Sequence, residues 1–452
     1  MQSIEIEHLG ANSHVTGSCH FIQHNGIKML VDCGLTQGTV RQSNIQKWPV
    51  HPSEIDYLFV THAHIGHIGR IPELIRKGFK GEILTTHATK ELMVPMLEDF
   101  QIIENMHQKN PKKAFSHMNE LTWGFEYNEL FQLKNNISFK LGKAGHILGS
   151  CFLQIQTPND TIVFSGDLGQ SDSPILCKPD TPDICSFLCL ESTYGHTVHD
   201  CRDDRVRQLG KILSHALSNQ GKVIIPAFAL GRTCEILYEI NRLFTEPDLK
   251  EQFPEIEENE KMPIFLDTPS GKKNIRIFSK MVKYWNKETN QSVKGNKHPV
   301  NFSNMYAVEN YHQHLKLADM QGPSIIIAGN SMCTGGRILN HLQAGLPDWR
   351  NDIVFTSWQE LGTLGNEITR FGKRTGGYVF IDNKRVDIKA NIHELSGYSA
   401  HADQVELIQW VNAIEQKPEL IQLVHGQTDS QQALKIKLND YGYQVETCVQ
   451  RH

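Results

Sequence analysis

The amino-acid sequence predicts an α/β protein that presents polar residues at the carboxyl ends of its strands. Short apolar runs end in glycine, aspartate or histidine, as in "YLFVTHAH" from 57, "TIVFSGDLG" from 161 and "LIQLVHG" from 420. Runs of this length bounded by turn residues are typical of buried strands. Segments after such runs, including "RTCEILYEINRLF" and "GGRILNHLQ", have helical spacing. This alternation of strand and helix patterns indicates the α/β class.

The length of the chain predicts more than one domain. At roughly 150 residues per domain, 452 residues correspond to two or three domains. Between about 245 and 300 the sequence becomes highly charged and is punctuated by proline, as in "TEPDLKEQFPEIEENEKMP". Such segments are typical of surface helices and loops, so we expect a peripheral domain in this region.

Composition favours a cytoplasmic globular protein and excludes several classes. The start of the chain lacks the pattern of a secretory signal, and no apolar segment approaches the ~18 to 20 residues that span a bilayer, so no membrane partner is expected. Ten scattered cysteines without a Cys-x-x-Cys pair predict reduced thiols. A net charge of -5 argues against a strongly cationic nucleic-acid binder. A nucleic-acid substrate would therefore need a local groove.

Three histidines follow the strand predicted from 57. His62, His64 and His67 lie within six positions in "FVTHAHIGHIGRIP", at spacings that can turn their rings toward one point. Zn²⁺ accepts imidazole nitrogen from such clusters at ~2.0 to 2.1 Å. A single histidine is more often an ordinary core or surface residue, but the cluster predicts a metal site.

Four further segments, taken in order, strengthen the metal-site prediction: "VDCG", "AGHILGS", "FSGDLG" and "SGYSAHAD". With the histidine cluster they resemble the landmarks of the metallo-β-lactamase superfamily. Carried over by position, the resemblance implies two Zn²⁺ sites with Asp167 bridging them. The first zinc would be held by His62, His64 and His146, and the second by His67 and His401. Asp32 resembles the structural aspartate that orients the histidine loop, although a plain turn aspartate remains an equal alternative.

Gly66 occupies the position at which the superfamily motif has aspartate. Its side chain offers no ligand atom, so the resemblance implies a weaker second zinc site. An introduced substitution and natural drift to a degenerate enzyme are both compatible with this departure.

More specific motifs resemble the β-CASP branch of the superfamily, which contains RNA-processing nucleases. They are "ESTYG" from 191, "PAFALGRTCE" from 226, "SMCTGGRI" from 331, "GTLG" from 362 and "SGYSAHAD" from 396. The implied fold is a metallo-β-lactamase αββα sandwich with an inserted α/β β-CASP cap. The expected boundaries are 1–200 and 376–452 for the sandwich and 201–375 for the cap. The resemblance also implies that Glu191 supports a zinc-bound histidine, and the expected catalytic residues are Asp32, Asp167, Glu191 and His401.

Two turns of the cap place glycine and arginine where a strand passes into a helix. Backbone N–H groups at a helix N-terminus together with a guanidinium can bind phosphate. Taken singly, each turn is better explained as a tight turn with a solvated arginine, but two in one cap favour a substrate site. The expected phosphate-binding residues are Arg232, Thr334, Gly335, Gly336 and Arg337.

These features together predict a zinc-dependent ribonuclease that hydrolyses single-stranded RNA in a cleft between the two domains, impaired by Gly66. The alternatives are an RNA-binding or complex-forming pseudoenzyme and a small-molecule metallo-hydrolase. The proton donor stays open, because Asn366 and Glu367 follow "GTLG" where relatives carry a histidine. Gln427 replaces a common glutamate. Endonuclease and exonuclease action are both left open, as is a homodimer.

Overall fold

The computed structural model describes residues 5–37, 48–103, 111–199, 202–227, 231–258, 262–268, 271–294, 300 and 303–448. It confirms the predicted α/β class. The chain divides into two compact units, which we call unit 1 (1–97, 108–198 and 400–452) and unit 2 (98–107 and 199–399). Within the described ranges, no helix has both the length and the apolar character needed to cross a membrane.

Twenty-one strands form within the described residues. They are β1 (Glu5–Gly10), β2 (Cys19–His24), β3 (Ile27–Val31), β4 (Tyr57–Phe59), β5 (Glu82–Thr86), β6 (Thr122–Phe125), β7 (Leu130–Gln132), β8 (Ser138–Lys143), β9 (Cys151–Gln156), β10 (Thr161–Phe164), β11 (Phe187–Glu191), β12 (Lys222–Pro226), β13 (Ile264–Asp267), β14 (Met305–Ala307), β15 (Ser324–Ala328), β16 (Asp352–Phe355), β17 (Tyr378–Ile381), β18 (Lys384–Asp387), β19 (Asn391–Glu394), β20 (Leu420–Val424) and β21 (Val445–Thr447).

Fifteen α-helices form in the same part of the chain. They are α1 (Ile65–Ile68), α2 (Ile71–Arg76), α3 (His87–Ile103), α4 (Pro111–Leu121), α5 (Arg202–Asn219), α6 (Arg232–Thr245), α7 (Pro247–Gln252), α8 (Pro254–Glu258), α9 (Gly271–Lys280), α10 (Lys287–Lys294), α11 (Tyr311–Asp319), α12 (Ile338–Gly345), α13 (Leu364–Phe371), α14 (Gln404–Asn412) and α15 (Thr428–Asp440).

Unit 1 contains two sheets that pack against each other. One has the order β1-β2-β3-β4-β5-β6 and the other β21-β20-β11-β10-β9-β8-β7. Buried residues from the first sheet, such as Phe59 and Leu84, share one apolar cluster with Phe139, Leu153 and Phe164 of the second. This burial of apolar surface holds the two sheets together.

The opposite face of the seven-stranded sheet is covered by α14 and α15. Val163 and Leu188 of the sheet share a second cluster with Leu407, Val411 and Leu434 of these helices. The start of α14 is fixed by a capping box, in which the Asp403 side chain accepts a hydrogen bond from the Glu406 backbone. The "SAHAD" segment is thereby held directly before a helix N-terminus.

Unit 2 is built on a six-stranded sheet in the order β14-β13-β15-β12-β16-β19, and every neighbouring pair in it is parallel. Strand β19 pairs with β16, and the inner face of the β17–β18 hairpin packs into the core of the same unit. The expected boundary at 375 is therefore corrected, because hydrogen bonding and burial place 376–399 in unit 2.

Candidate metal centre

Strand ends bring the polar groups of unit 1 together. In the first sheet, β3 is followed directly by Asp32, and β4 leads through two residues to His62. In the second sheet, β10, β11 and β20 are parallel neighbours, so their carboxyl ends meet at one edge. Asp167 lies three residues after β10, Glu191 ends β11, and His425 follows β20. The parallel register thus brings Asp167, Glu191 and His425 together although they are far apart in the sequence.

The first group contains the three histidines expected for one metal, together with Asp167. The nitrogens His62 Nε2 and His146 Nε2 each lie 3.1 Å from His64 Nδ1. Asp167 Oδ2 lies 3.4 Å from His62 Nε2 and 3.6 Å from His146 Nε2. All four donor atoms fall within 4.8 Å of one another, which permits them to share one ion.

The second group is completed by His425, which the sequence prediction missed. His67 Nε2 lies 3.3 Å from Asp167 Oδ2 and 3.2 Å from His425 Nε2, while His425 Nε2 lies 3.5 Å from Asp167 Oδ1. The assignment of His401 to this group is corrected: His401 groups with Glu191 and His425 instead. The overlooked signal was "LIQLVHG", an apolar strand that ends in histidine as the strand before His62 does.

Four of the grouped histidines have a partner at the outer nitrogen, Nδ1, that fixes the ring. Thr61 Oγ1 donates its one proton to Asp32, and Thr193 Oγ1 donates its proton to Glu191. Toward the neighbouring histidine each hydroxyl is therefore an acceptor, and the ring nitrogen Nδ1 is the donor. This arrangement turns the Nε2 lone pair toward the centre, which is the role that outer partners have in metal sites. The pairs are His62 Nδ1 with Thr61 (3.1 Å), His67 Nδ1 with Asp32 (2.7 Å), His146 Nδ1 with the Ala400 carbonyl (3.1 Å) and His425 Nδ1 with Thr193 (3.1 Å).

Glu191 and His401 form a separate pair beside these groups. His401 Nδ1 lies 3.1 Å from both carboxylate oxygens of Glu191. Glu191 is fully buried and also accepts from the backbone N–H groups of Leu168 and Thr193. Its carboxylate therefore holds the His401 ring in one orientation.

Burial and charge prepare the centre to bind a cation. Burial lowers the pKa of His62 and His146 well below the usual range, so both rings are neutral and offer lone pairs. Burial also acts to lower the pKa of His67, but the carboxylates of Asp167 and Asp32 outweigh it and raise that pKa to about 10. These two carboxylates therefore favour positive charge at this position.

The donor set fits a metal ion. Two ligand atoms ~2.0 to 2.1 Å from a tetrahedral zinc lie about 3.3 to 3.4 Å apart. The separations between donor atoms around Asp167 run from 3.2 to 3.6 Å. Within the described part of the chain, no hydrogen-bond donor reaches the buried Asp167 Oδ1. A buried carboxylate oxygen without a partner is costly, and a metal ion would satisfy it.

Gly66 lies in α1, between His64 of the first group and His67 of the second. A Cβ placed on it would lie 3.7 Å from Thr16 Cα and 3.9 Å from Gly17 N, which are ordinary van der Waals contacts. Neither the space nor the backbone conformation requires glycine at this position. The departure from the aspartate of the superfamily motif is therefore not explained by packing.

Both arginines expected to bind phosphate are engaged inside unit 2. Arg232 is buried and pairs with the Glu235 carboxylate one turn along α6. Arg337 Nη1 donates to Asp267 Oδ1 at 2.8 Å and to the Val308 carbonyl at 2.7 Å. The assignment of these two arginines to phosphate binding stays a prediction, although each arginine is already paired with a carboxylate of its own unit.

Arg337 belongs to a buried cluster that we call the Asp267 network, comprising Asp267, His314, His341 and Arg337. Both histidines donate to Asp267 Oδ2, and both are almost fully buried. The remaining residues of the predicted phosphate site lie in the turn between β15 and α12. In that turn Asn330 Nδ2 donates to Thr334 Oγ1, Gly335 is half-buried, and Gly336 has a φ of 82° that favours glycine.

Comparison with known proteins finds three matching family regions. Residues 14–226 match the metallo-β-lactamase superfamily, 233–368 the β-CASP domain, and 385–448 the Zn-dependent metallo-hydrolase RNA specificity domain. Together these regions span most of the chain.

Several named relatives resemble the chain over most of its length. Ribonuclease TTHA0252 of Thermus thermophilus is 35% identical, covering 94% of each chain. Transcription termination factor FttA of Methanocaldococcus jannaschii is 26% identical over 94% of this chain and 67% of that protein. Endoribonuclease ysh1 of Schizosaccharomyces pombe is 26% identical over 96% and 56%. A crystal structure of an Enterococcus faecalis protein of unknown function covers 97% and 96% with a TM-score of 0.52 at 14% identity, and shows the fold alone.

Proposed function

Because the chain belongs to the β-CASP branch of the metallo-β-lactamase superfamily and is a metal-dependent hydrolase of that family, we propose that it is a zinc-dependent ribonuclease. Its substrate would be single-stranded RNA, and its reaction hydrolysis of the phosphodiester bond. The names of its relatives support this substrate, since two of the three are ribonucleases.

One observation carries the proposal: Asp167 presents its two carboxylate oxygens to two sets of histidine nitrogens. Oδ2 faces His62, His146 and His67, while Oδ1 faces His425. A carboxylate in this position can bridge two ions, and paired ions are a recurring solution for phosphodiester hydrolysis. When bound, zinc would supply Lewis acidity and lower the pKa of water.

The residues of the chain have separate tasks in this proposal. The grouped histidines bind and orient, and Asp32 fixes the His67 ring through a 2.7 Å hydrogen bond. All of these histidines except the half-buried His64 are buried, and this burial limits bulk water, which strengthens each electrostatic interaction with the substrate.

His401 is our candidate for the proton donor to the leaving oxygen. Burial acts to lower its pKa, but the Glu191 carboxylate 3.1 Å from Nδ1 outweighs that effect and raises it. The pair therefore favours a protonated ring that is held in one orientation beside the first metal group, with ring centroids of His401 and His146 4.4 Å apart. This role replaces the expected metal ligation by His401.

Gly66 favours a second candidate function, an RNA-binding pseudoenzyme. Six donors are nevertheless present, with His425 in the place expected for His401. They are His62, His64, His67, His146, Asp167 and His425. A long-idle site would be expected to lose several donors together, so we prefer the enzyme.

The test uses the purified full-length chain and end-labelled single-stranded RNA, assayed with added zinc and with a chelator. We expect zinc-dependent cleavage that is lost in His62→Ala. A single-stranded DNA of the same sequence and a lactam and a thioester substrate are assayed in parallel. RNA binding without cleavage would support the pseudoenzyme, and hydrolysis of the lactam or thioester without RNA cleavage would support a small-molecule hydrolase.

A further inference from the structure

The β17–β18 hairpin of unit 2 has one buried and one exposed face. Val379, Ile381 and Val386 are only 2 to 4% exposed and belong to the core of the unit. On the opposite face Tyr378 is 42% exposed and Phe380 60% exposed. The inner residues therefore anchor the hairpin, while two aromatic rings leave much of their surface in solvent.

These rings lie in the middle of a basic segment. Residues 370–389 contain six basic and two acidic side chains, a net charge of +4 in a chain whose total is -5. All six basic residues are exposed, and they are Arg370, Lys373, Arg374, Lys384, Arg385 and Lys389. This segment is a local exception to the slightly acidic composition of the protein.

Cations already lie over aromatic rings in this segment. The Arg385 guanidinium is 4.2 Å from the centroid of the Tyr378 ring, and Arg374 is 5.3 Å from that of Phe371. The ion pairs of Arg385 with Asp387 and of Lys373 with Glu394 are exposed. Exposed pairs of this kind are weak, so the cations can exchange them for phosphate.

We propose that the outer face of the β17–β18 hairpin, with its flanking basic residues, binds single-stranded RNA. Bases would stack on Tyr378 and Phe380, and phosphates would contact the surrounding arginines and lysines, as in other sequence-tolerant single-strand sites. The proposal rests on the proposed function for its choice of RNA. None of the residues that would make this contact belongs to the metal centre.

Charge distinguishes RNA from a protein partner at this surface. Lysine is depleted in protein–protein interfaces, whereas half of the six cations here are lysines. A polyanion with flat bases matches both the excess positive charge and the two exposed rings, and a base could take the place of the Arg385 guanidinium on Tyr378. The single-stranded form is favoured because only unpaired bases expose faces for stacking.

The test measures binding of a fluorescently labelled 20-nucleotide RNA to the full-length protein by anisotropy, in chelator, so that cleavage does not contribute. Replacing both rings, Tyr378→Ala with Phe380→Ala, should weaken binding at least about tenfold. Arg374→Gln with Arg385→Gln, the latter opposite Phe380 on the outer face, should lower the slope of log K against log salt by about 0.7 for each cation removed. Tyr378→Phe keeps the ring and should bind as the parent does. Tyr306→Ala removes a 52% exposed ring of the same unit outside the basic segment and is the matched control.

Equal RNA affinity of the double alanine variant and the parent would overturn the proposal, as would a parent that binds no RNA. A variant that alters self-association while RNA affinity is unchanged would assign the surface to protein contacts and also overturn it. Failure of the proposed function is a different result. In that case the parent cleaves no RNA with zinc present, yet the alanine variant still loses RNA binding.

Discussion

Replacing Gly66 with aspartate should strengthen the second metal site. The added Cβ meets only Thr16 Cα at 3.7 Å and Gly17 N at 3.9 Å, which are ordinary van der Waals contacts. It would supply a carboxylate beside His67, in a group that has only three donors. Loss of even an outer partner typically costs 10- to 100-fold in metal affinity, so we expect a gain in zinc affinity of at least that order.

The same change should raise the rate of RNA cleavage. Tenfold in rate corresponds to about 1.4 kcal/mol, and metal assistance contributes several kcal/mol to phosphodiester hydrolysis, so a gain of about 10- to 100-fold is expected. The assays are zinc per chain by elemental analysis after dialysis, and turnover of labelled RNA by Gly66→Asp beside the parent.

Two controls separate the ligand effect from other effects of the substitution. Gly66→Ala adds the Cβ alone and should change zinc content little, although it should stabilise α1 by about 0.5 to 1 kcal/mol. In chelator the new carboxylate adds negative charge next to His67, whose ring already faces Asp167 and Asp32, so like-charge repulsion should lower the melting temperature of Gly66→Asp relative to Gly66→Ala, and zinc should restore it. An aspartate variant that binds two zincs and still cleaves no RNA would refute the reasoning.

Three further predictions follow from the corrected site and from unit 2. His425→Ala should reduce zinc per chain, whereas His401→Ala should retain zinc and lose turnover; equal zinc loss in both variants would contradict the separation of their roles. Asp267→Asn removes the buried carboxylate that pairs with Arg337 and accepts from both histidines of the Asp267 network, and it should lower the free energy of unfolding in urea by about 3 to 5 kcal/mol, while the exposed Glu309→Gln should have no measurable effect. Burial lowers the pKa of His341, so protonation favours the unfolded chain, and stability should fall as pH drops below about 6.5, by at most about 1.4 kcal/mol per pH unit for this group; a urea midpoint that is constant from pH 7 to 5 would contradict it.

Local pattern was sufficient for much of the fold and part of the site. Strand β4 and the histidines after it follow from an apolar run that ends in closely spaced ring nitrogens, and those residues meet because they are neighbours in sequence. The position of Asp32 likewise follows from a strand end, and it lies against His67 as the superfamily resemblance implies. The boundary at 375 failed because the strands that follow it are short and their local pattern does not show which unit they join. Strand β19 joins unit 2 by pairing with β16, and the β17–β18 hairpin joins it by burying its inner face.

The sequence alone determined the α/β class, the histidine cluster and the unusual glycine, since each is a property of adjacent residues. Only the tertiary structure decided between His401 and His425, which lie 24 positions apart and both follow local patterns suited to a ligand. The parallel register of β10, β11 and β20 places His425 against Asp167, whereas His401, which lies just before α14, faces Glu191. In the same way, a carboxylate 70 positions away neutralises Arg337. Such distances between ring nitrogens, guanidinium groups and carboxylates arise from strand pairing and burial, and no spacing along the chain encodes them directly.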